Sequence, residues 1–334
     1  MTIASFSVDK WLLDMADRWG NAGFIPFSIG VSLLLCLWWI PRTTDWMVAA
    51  SAGLAGKYLG RDQRTLVINC STNNPELFSM LVAFLMLRLG GVANPLGSNL
   101  ANIYLMFGFA LVFALVALAR RGGPARAGKL LALIWRERRL FRWHLLLSLG
   151  MFAAASAGYY LLVGVDQFGL VAGEPRVPAA STMLVAAGLM IAAMAVFVAF
   201  DRRMKRKRPG LYLDIDETGH VASWSLFAAG TVGLVAACWL MNVLFSVWTE
   251  LYDDELAKVL GPAVFAALHY FVGALVTSLP ELTVAVKNYK RLTSADLNTA
   301  LASATFSNVA NLGIAVIGAL IAAALLALGL DMVL

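Results

Sequence analysis

Two glutamates lie where a charge is costly, each directly after a proline and inside an apolar run. Glu76 belongs to the run Thr-Asn-Asn-Pro-Glu-Leu at 72–77, and Glu281 belongs to Thr-Ser-Leu-Pro-Glu-Leu at 277–282. An acidic side chain within a membrane-length apolar segment indicates function by default, because hydrocarbon disfavours charge. The preceding proline interrupts the helical hydrogen-bond ladder and frees backbone carbonyls at the same turn. The two motifs therefore predict a polar site assembled from two parts of the chain.

A second motif, Ser-Asn-x-Ala-Asn, follows each of these runs after about two dozen residues. Its Ser98 and Asn102 are four residues apart, as are Ser307 and Asn311 in the later copy, so each pair shares one helix face. A lone Ser or Asn in a membrane helix usually bonds to its own turn or to a neighbouring helix. Because both motifs recur in the same order, they indicate an internal duplication and favour an ion or substrate site over packing alone.

The recurring side chains offer oxygen ligands only, which suits a hard cation. Two carboxylates can offset a divalent charge, and Thr72 and Thr277 each lie four residues before a glutamate. Oxygen ligands suit Ca²⁺, Na⁺ or Mg²⁺ and argue against zinc or copper. The three histidines are scattered, and an interfacial role is expected for His144 and His220 at the membrane boundaries. The cysteines lie far apart in apolar segments, which favours packing, at positions Cys36, Cys70 and Cys238.

Composition sets the protein class. Of the residues, 60% are hydrophobic and 14% are charged, and the mean hydropathy is +0.76. A soluble domain could not leave so much apolar surface in water. The sequence predicts an all-α polytopic membrane protein with about eight transmembrane helices, at roughly 23–60, 65–89, 95–119, 144–165, 180–200, 223–247, 263–288 and 295–328. The first span exceeds a perpendicular crossing, so it should tilt or kink near Pro41.

The chain divides into four predicted segments. An N-terminal interfacial segment (1–22) precedes the first repeat with its ion-binding motif (23–119). Basic cytoplasmic loops and two linking transmembrane helices follow (120–220), and the second repeat completes the chain (221–334). The third segment ends in a strand-like stretch whose acidic tip, at 214–217, could bind a cation, although a calcium loop needs more ligands at fixed spacing.

Loop charges predict how the spans are oriented. The basic segments 120–142 and 202–208 fall on the same side as Lys287, Lys290 and Arg291, and the acidic links fall on the other side. Since positive loops stay in the cytoplasm, the basic side is predicted to be cytoplasmic and both termini outside, in a bacterial inner (plasma) membrane. The two Pro-Glu helices then run in opposite directions. This predicts two inverted repeats with a site at their interface.

The motifs resemble the α-repeats of the sodium/calcium exchanger superfamily of cation/Ca²⁺ antiporters. Those repeats read approximately G-T-S-x-P-E and G-S-N-x-x-N/D. The six residues from Gly97 to Asn102 fit the second pattern fully, and Phe306 replaces its glycine in the later copy. The likeness covers roughly residues 25–119 and 222–320.

The resemblance implies a role for each residue of the site. Glu76 and Glu281 would be the central Ca²⁺ ligands, and backbone carbonyls of Thr72 and Thr277 would complete the shell. The side chains lining the sites of the driving ion would be Ser98, Asn102, Ser278, Ser307 and Asn311. The first and sixth spans would slide past the core during alternating access.

Several residues depart from the family pattern. Ser71 and Val276 stand where the family has glycine. Asn73, part of the implied cation-binding set, stands where sodium exchangers have serine and is similar to the residue of proton-coupled calcium exchangers. Asn311 occupies a position that is often aspartate in sodium exchangers. The family usually has ten or more spans, so the chain resembles a divergent and shortened member.

The combined expectation is a secondary active cation antiporter that exchanges Ca²⁺ against Na⁺ or H⁺. Two alternatives stay open: a transporter or channel for another cation on the same scaffold, and a non-transporting membrane module that senses ions or assembles with partners. An enzyme, including an ATP-driven pump, is disfavoured by the lack of G-x-x-x-x-G-K-[ST], H-E-x-x-H and G-x-S-x-G. No cofactor is expected besides the transported ions.

The expected partners follow from the distribution of charge and of small residues. The basic loops favour anionic lipids of the bilayer, and no nucleic-acid partner is expected because the charge is confined to loops. Ala315, Ala319 and Ala323 place three small residues on one helix face. This stripe predicts a homodimer or a partner membrane protein at that face, with packing inside the monomer as the alternative.

Overall fold

The computed structural model describes residues 8–58, 71–171, 173–207 and 221–334. Predictions for Cys70, His220, the start of the second span and the acidic tip at 214–217 fall outside these residues.

The N-terminal helices form one long, interrupted rod. Helix α1 spans Val8–Leu34, a π-helical turn spans Leu35–Trp39, and α2 spans Ile40–Tyr58. Gly20 interrupts α1 with a positive φ of 61°, which glycine adopts without steric cost. The π turn ends two residues before Pro41, whose missing N–H prevents a regular α-helical ladder there. The rod is therefore irregular near Pro41, as the sequence predicts.

The first Pro-Glu motif opens a short helix, α3, at Asn74–Leu85. A 3₁₀ turn at Leu89–Val92 then leads into α4, Ala93–Asn102. A second π turn spans Ile103–Phe109, and α5 follows at Ala110–Arg136.

Two long helices link the motif-bearing regions. The basic segment 120–142 contains a break in α5 at Gly122 and Gly123, the latter with a φ of 71°. Helix α6 spans Arg138–Val163 and α7 spans Ala180–Lys207. Helix α8 then spans Trp224–Leu260 and is interrupted at Tyr252.

The second Pro-Glu motif lies in a helix that is broken twice. Helix α9 (Val264–Ala267), a π turn (Leu268–Gly273) and α10 (Ala274–Thr277) precede α11 (Leu279–Tyr289). The last helix, α12, spans Ser294–Ala327.

Seven helical stretches of the described chain are long and apolar enough to cross a membrane. They are Val8–Tyr58, Leu89–Arg136, Arg138–Val163, Ala180–Met204, Trp224–Leu260, Val264–Tyr289 and Ser294–Ala327. The remaining predicted span is represented by α3, a shorter apolar helix, and the first residues of that predicted span, 65–70, lie outside the described ranges. Within the described ranges there is no strand beyond an isolated bridge between Arg88 and Val333. The chain is therefore an all-α polytopic membrane protein.

Helix α12 forms the middle of the largest hydrophobic cluster. It packs against α7, α6 and α4, while α2 packs along α8 on another side of the molecule. Ala315, Ala319 and Ala323 are buried within the chain, and Gly318 next to them abuts the side chains of Met80 and Val92. The small-residue stripe is therefore an internal packing surface. The prediction that it forms an interface between copies of the chain is wrong, because these residues let α12 approach the core.

Candidate cation-binding site

Each Pro-Glu motif begins a helix immediately after a break. Asn73 precedes α3 with φ and ψ of −92° and 7°, and Ser278 precedes α11 with −87° and 1°. Both pairs of angles lie in the sparsely populated bridge region between α and β conformations. Because the following prolines have no N–H, the carbonyls of Ser71 and Val276, four residues earlier in the chain, lose their helical donors. The two breaks therefore share one local geometry, and each removes one backbone carbonyl from the regular helical hydrogen-bond ladder.

Glu76 and Glu281 lie in the first turns of α3 and α11, and both are buried, with 0% and 2% of their surface exposed. Helix N-termini favour negative charge, because their N–H groups point towards the carboxylates. The two carboxylates are close enough to interact electrostatically. The structure therefore brings together the two glutamates that the motifs single out.

The glutamates have few partners for their charge. The Ser98 hydroxyl donates a hydrogen bond to Glu76 Oε1 at 3.2 Å. Among the described residues, no hydrogen-bond partner faces Glu76 Oε2 or either carboxylate oxygen of Glu281, and neither glutamate forms an ion pair. Burying carboxylates in this way is costly unless a cation or a proton offsets the charge.

The threonines cross between the two motifs. The Thr277 side chain lies beside the Glu76 carboxylate, and the Thr72 side chain lies beside Glu281. Thr277 Oγ1 donates to the Gly273 carbonyl at 3.1 Å and lies 3.5 Å from Ser98 Oγ. Each threonine hydroxyl thus approaches the carboxylate of the other motif, so the four side chains form one group.

The Ser-Asn motifs join the same polar region. Ser307 Oγ donates to Asn73 Oδ1 at 2.7 Å, and Asn102 Nδ2 donates to Ser307 Oγ at 2.8 Å. Asn102 Nδ2 also donates to Asn308 Oδ1 at 2.9 Å. These bonds connect the break before α3 with α4 and α12. Asn308 is a site residue that the sequence analysis does not select, although it lies inside the second motif.

The two remaining predicted site residues, Ser278 and Asn311, are fully buried. Within the described chain, Ser278 Oγ and both polar atoms of the Asn311 side chain lack hydrogen-bond partners. Buried polar groups are normally satisfied. Buried oxygens without partners, on the same motifs as the glutamates and Ser307, are available to coordinate a cation.

Two further polar residues were missed or misjudged from sequence. Asn94 is fully buried and accepts a hydrogen bond from Thr277 at 3.4 Å, and its only signal is a polar residue in an apolar span. His144 is buried, with its ring nitrogens 3.1 Å from Thr305 Oγ1 and 3.2 Å from Asn298 Oδ1. The expected interfacial role for His144 is wrong, because the histidine links α6 to α12 inside the bundle.

The site is rich in neutral oxygen and holds two carboxylates. Across the described ranges, no group of three or more His, Cys, Asp or Glu side chains is arranged to hold a metal ion. Ligands other than the two glutamates are therefore hydroxyl, amide and backbone oxygens, the set that hard cations prefer.

The chain matches no protein-family model, no curated protein and no solved structure. The resemblance to the sodium/calcium exchanger superfamily therefore stays a prediction from the motifs, and the function has to be argued from the site.

Proposed function

We propose that the chain is a secondary active antiporter that exchanges Ca²⁺ against Na⁺ or H⁺ by alternating access. One observation carries the proposal: Glu76 and Glu281 are both buried within electrostatic reach of each other, and three of their four carboxylate oxygens lack hydrogen-bond partners of normal geometry in the described chain. The neighbours that the structure places beside them are the neutral side chains of Ser98, Thr277 and Thr72. A structural pair of carboxylates would be expected to have basic partners. A site without such partners is suited to a cation that binds and is released.

The ligand set favours Ca²⁺ over smaller or softer ions. Ca²⁺ takes 6–8 oxygen ligands in flexible geometry, whereas Mg²⁺ demands a near-ideal octahedron and keeps several waters. Two carboxylates match the divalent charge. The proposed neutral ligands are side-chain oxygens. They come from Thr72, Thr277, Ser98 and Ser278, and from Asn73, Asn102, Ser307 and Asn311.

The driving ion has to offset the same two charges after Ca²⁺ leaves. Two neighbouring buried carboxylates repel each other, so protons or Na⁺ ions stabilise the Ca²⁺-free protein. Competition between the ions for one set of oxygens couples their movements in opposite directions. Both ions suit the proposal, and flux measurements separate them.

Alternating access requires a mobile part and a packed part. In the proposal, the two motif regions are inverted repeats, and the first span and α8 slide against the core. Helices α2 and α8 pack closely, and a Cβ atom added at Gly230 would lie 2.8 Å from the backbone N of Met47 and 2.8 Å from the carbonyl oxygen of Thr43. Because the small residue lets the two backbones approach closely, we propose that α2 and α8 move together as one rigid unit.

The proposed setting is a bacterial inner (plasma) membrane with the basic loops in the cytoplasm and both termini outside. It rests on the positive-inside rule applied to the loops. Anionic lipids at the basic loops are the proposed lipid partners, and a homodimer is a further proposal that no longer rests on the Ala315–Ala323 stripe.

Calcium flux into proteoliposomes tests the proposal. Purified protein is reconstituted, and Ca²⁺ uptake is followed under an imposed Na⁺ gradient, an imposed pH gradient, or neither. Uptake that depends on one gradient supports antiport and identifies the driving ion. Uptake without either gradient indicates a channel, and uptake of a different cation alone indicates another transporter on the same scaffold.

A second candidate, a non-transporting ion-sensing or assembly module, is favoured by one contact. Ser71 stands at the glycine position of the α-repeat, and its hydroxyl lies 2.9 Å from the Ser51 hydroxyl on α2. This buried hydrogen bond ties the mobile part to the core. Ca²⁺ binding without flux in any gradient, together with flux gained by Ser71→Gly, would support this candidate over antiport.

A further inference from the structure

Sulfur atoms from two distant parts of the chain meet next to the first Pro-Glu motif. Cys36 lies in the π turn at Leu35–Trp39, and Cys238 and Met241 lie on α8. All three side chains are buried, and both cysteines are free. Cys238 and Met241 are three residues apart, so they share the helix face that is turned towards Cys36.

Two of the three sulfur atoms are in contact, and the third residue lines the same cavity. Cys36 Sγ lies 3.8 Å from Met241 Sδ, and the two thiol groups interact electrostatically with each other. The three residues line one cavity of about 20 Å³. A volume of about 10–15 Å³ is enough for one water molecule, so this cavity can take a single ion. A metal ion holds thiolate sulfur at about 2.3 Å, so two sulfurs on a trigonally coordinated ion lie about 4 Å apart.

The ligand type selects a soft ion. Thiolate and thioether sulfur favour Cu(I), whereas carboxylate and carbonyl oxygen favour Ca²⁺. A bound ion would displace the proton of each thiol, because thiolates are the metal ligands. Cys238 Sγ lies 3.7 Å from the Pro75 carbonyl oxygen, one residue before Glu76, so the cavity borders the first Pro-Glu motif.

We propose that Cys36, Cys238 and Met241 form a binding site for a soft monovalent cation of the Cu(I) class. The site borders the first Pro-Glu motif and is distinct from the two glutamates in ligand chemistry. It joins the first span to α8, so an occupied site ties together two helices that are far apart in sequence. The proposal stands on the sulfur geometry and does not require that the protein transports Ca²⁺.

Anaerobic titration with Cu(I) tests the site in the purified full-length protein in detergent. Cu(I) is supplied as its bicinchoninate complex, and the protein has to withdraw the metal from this competitor. We expect one equivalent to be withdrawn by the wild-type protein. Affinity should fall about 100-fold in Cys36→Ser or Cys238→Ser and about 10-fold in Met241→Leu, since a soft ion loses a sulfur ligand in each case.

The Cys70→Ser variant is the matched control, because it removes the third cysteine of the chain and should keep full affinity. No withdrawal of Cu(I) by the wild-type protein would overturn the proposal. Withdrawal that is lost in Cys70→Ser but kept in Cys36→Ser and Cys238→Ser would overturn it as well.

X-ray absorption of the Cu(I)-loaded wild-type protein gives a result that does not depend on whether the variants fold. Sulfur neighbours at about 2.3 Å, without nitrogen or oxygen in the first coordination sphere, support the site. A sphere of nitrogen or oxygen atoms would overturn it. Neither measurement involves Ca²⁺ flux, so failure here and failure of the antiport proposal are separate results.

Discussion

At the scale of single residues, the balance of charge and hydrogen bonding decides what the site can do. Glu76 accepts one hydrogen bond from Ser98, whereas Glu281 accepts none of normal geometry from a described residue. The neutral side chains around them divide into two kinds. Ser307 and the Asn102 amide nitrogen are hydrogen-bonded to neighbours, whereas Asn102 Oδ1 and both polar atoms of the Asn311 side chain lack partners in the described chain. Substitutions can therefore separate ion binding from folding.

Replacing either glutamate with glutamine should abolish Ca²⁺ transport without unfolding the protein. Glutamine keeps the volume and removes the charge, and loss of one charge from a buried cation site costs about 3–5 kcal/mol, or at least about 100-fold in affinity. The Ca²⁺-free protein should be as stable as wild type or more so, because two buried carboxylates no longer repel. Proteoliposome flux and thermal unfolding in detergent measure the two effects.

Glu174→Gln is the matched control for these variants, because Glu174 is exposed in the link between α6 and α7. It should transport at the wild-type rate. Wild-type flux in Glu76→Gln or Glu281→Gln would contradict the antiport proposal. Loss of folded protein in both would make the glutamates structural.

Asn102→Ala should mainly lower the stability of the protein, whereas Asn311→Ala should mainly weaken cation binding. Asn102 donates to Ser307 and Asn308, so its loss leaves buried acceptors unpaired and should cost about 1–3 kcal/mol in unfolding free energy. Asn311→Ala removes no hydrogen bond to a described residue and should cost less stability. It should nevertheless weaken Ca²⁺ binding, so that added Ca²⁺ raises the unfolding temperature less than in the wild-type protein. Thermal unfolding with and without Ca²⁺ distinguishes them, and equal destabilisation of the two variants would refute this division of roles.

At the scale of elements, irregular helices bring the polar groups together. The helices carrying both Pro-Glu motifs are broken before the proline, and π turns lie at Ile103–Phe109, next to α4, and at Leu268–Gly273, before α10. Helix α4 packs directly against the second of these π turns. Gly97 permits the approach, because a Cβ atom there would overlap the Tyr270 carbonyl oxygen. Close contact of two backbones therefore positions Ser98 at Glu76.

Gly97→Ala should strongly destabilise the protein or displace α4 from the π turn. Overpacking of a well-packed core costs about 1–3 kcal/mol, and a backbone atom in the way yields less readily than a side chain. Ca²⁺ transport should fall even in the folded fraction, because Ser98 moves away from Glu76. Thermal unfolding and flux per folded protein are the measurements.

Gly108→Ala serves as the comparison, since no atom lies within 4 Å of a Cβ added there. It should be neutral or slightly stabilising, because alanine favours helix over glycine by about 1 kcal/mol. Equal behaviour of the two alanine variants would show that the α4 contact is not required.

At the scale of the whole molecule, the two linking helices, α6 and α7, bury one side of the last helix, α12. Helices α6 and α7 pack along α12, and His144 on α6 bonds to Thr305 and Asn298 on α12. Helices α6 and α7 of the central segment therefore pack against the helix that carries the second Ser-Asn motif. The face of α12 that carries the alanine stripe is turned inward, whereas Ile317 and Leu320 on the same helix are exposed.

Ala319→Leu should therefore destabilise the monomer and leave its association state unchanged. The added atoms have no room beside the buried core, and overpacking costs about 1–3 kcal/mol. Leu320→Ala on the exposed face should change the stability little. Light scattering in detergent measures the mass, and thermal unfolding measures the stability. A fall in mass for Ala319→Leu without loss of stability would restore the stripe as an interface.

The sequence by itself determined the protein class and the composition of the candidate site. Hydropathy identifies an all-α membrane protein, because long apolar stretches can satisfy their backbone in lipid only as helices. The Pro-Glu and Ser-Asn motifs identify the side chains, because buried charge and repeated spacing are visible without coordinates. Some helix bounds also follow from the sequence. Helix α12 begins and ends within one residue of its predicted span, whereas α8 begins where predicted but continues to Leu260, beyond the predicted end at 247.

Only the tertiary structure decided which side chains meet. That Thr277 faces Glu76, that Ser307 bonds to Asn73, and that Cys36 reaches Met241 depend on contacts between residues about 200–235 positions apart. Local pattern carries no information about such pairings, because a helix face is chosen by what packs against it. The same reason explains the errors at Ala319 and His144. A stripe of small residues or a histidine near a helix end is compatible with lipid, partner or core until the neighbouring helices are placed.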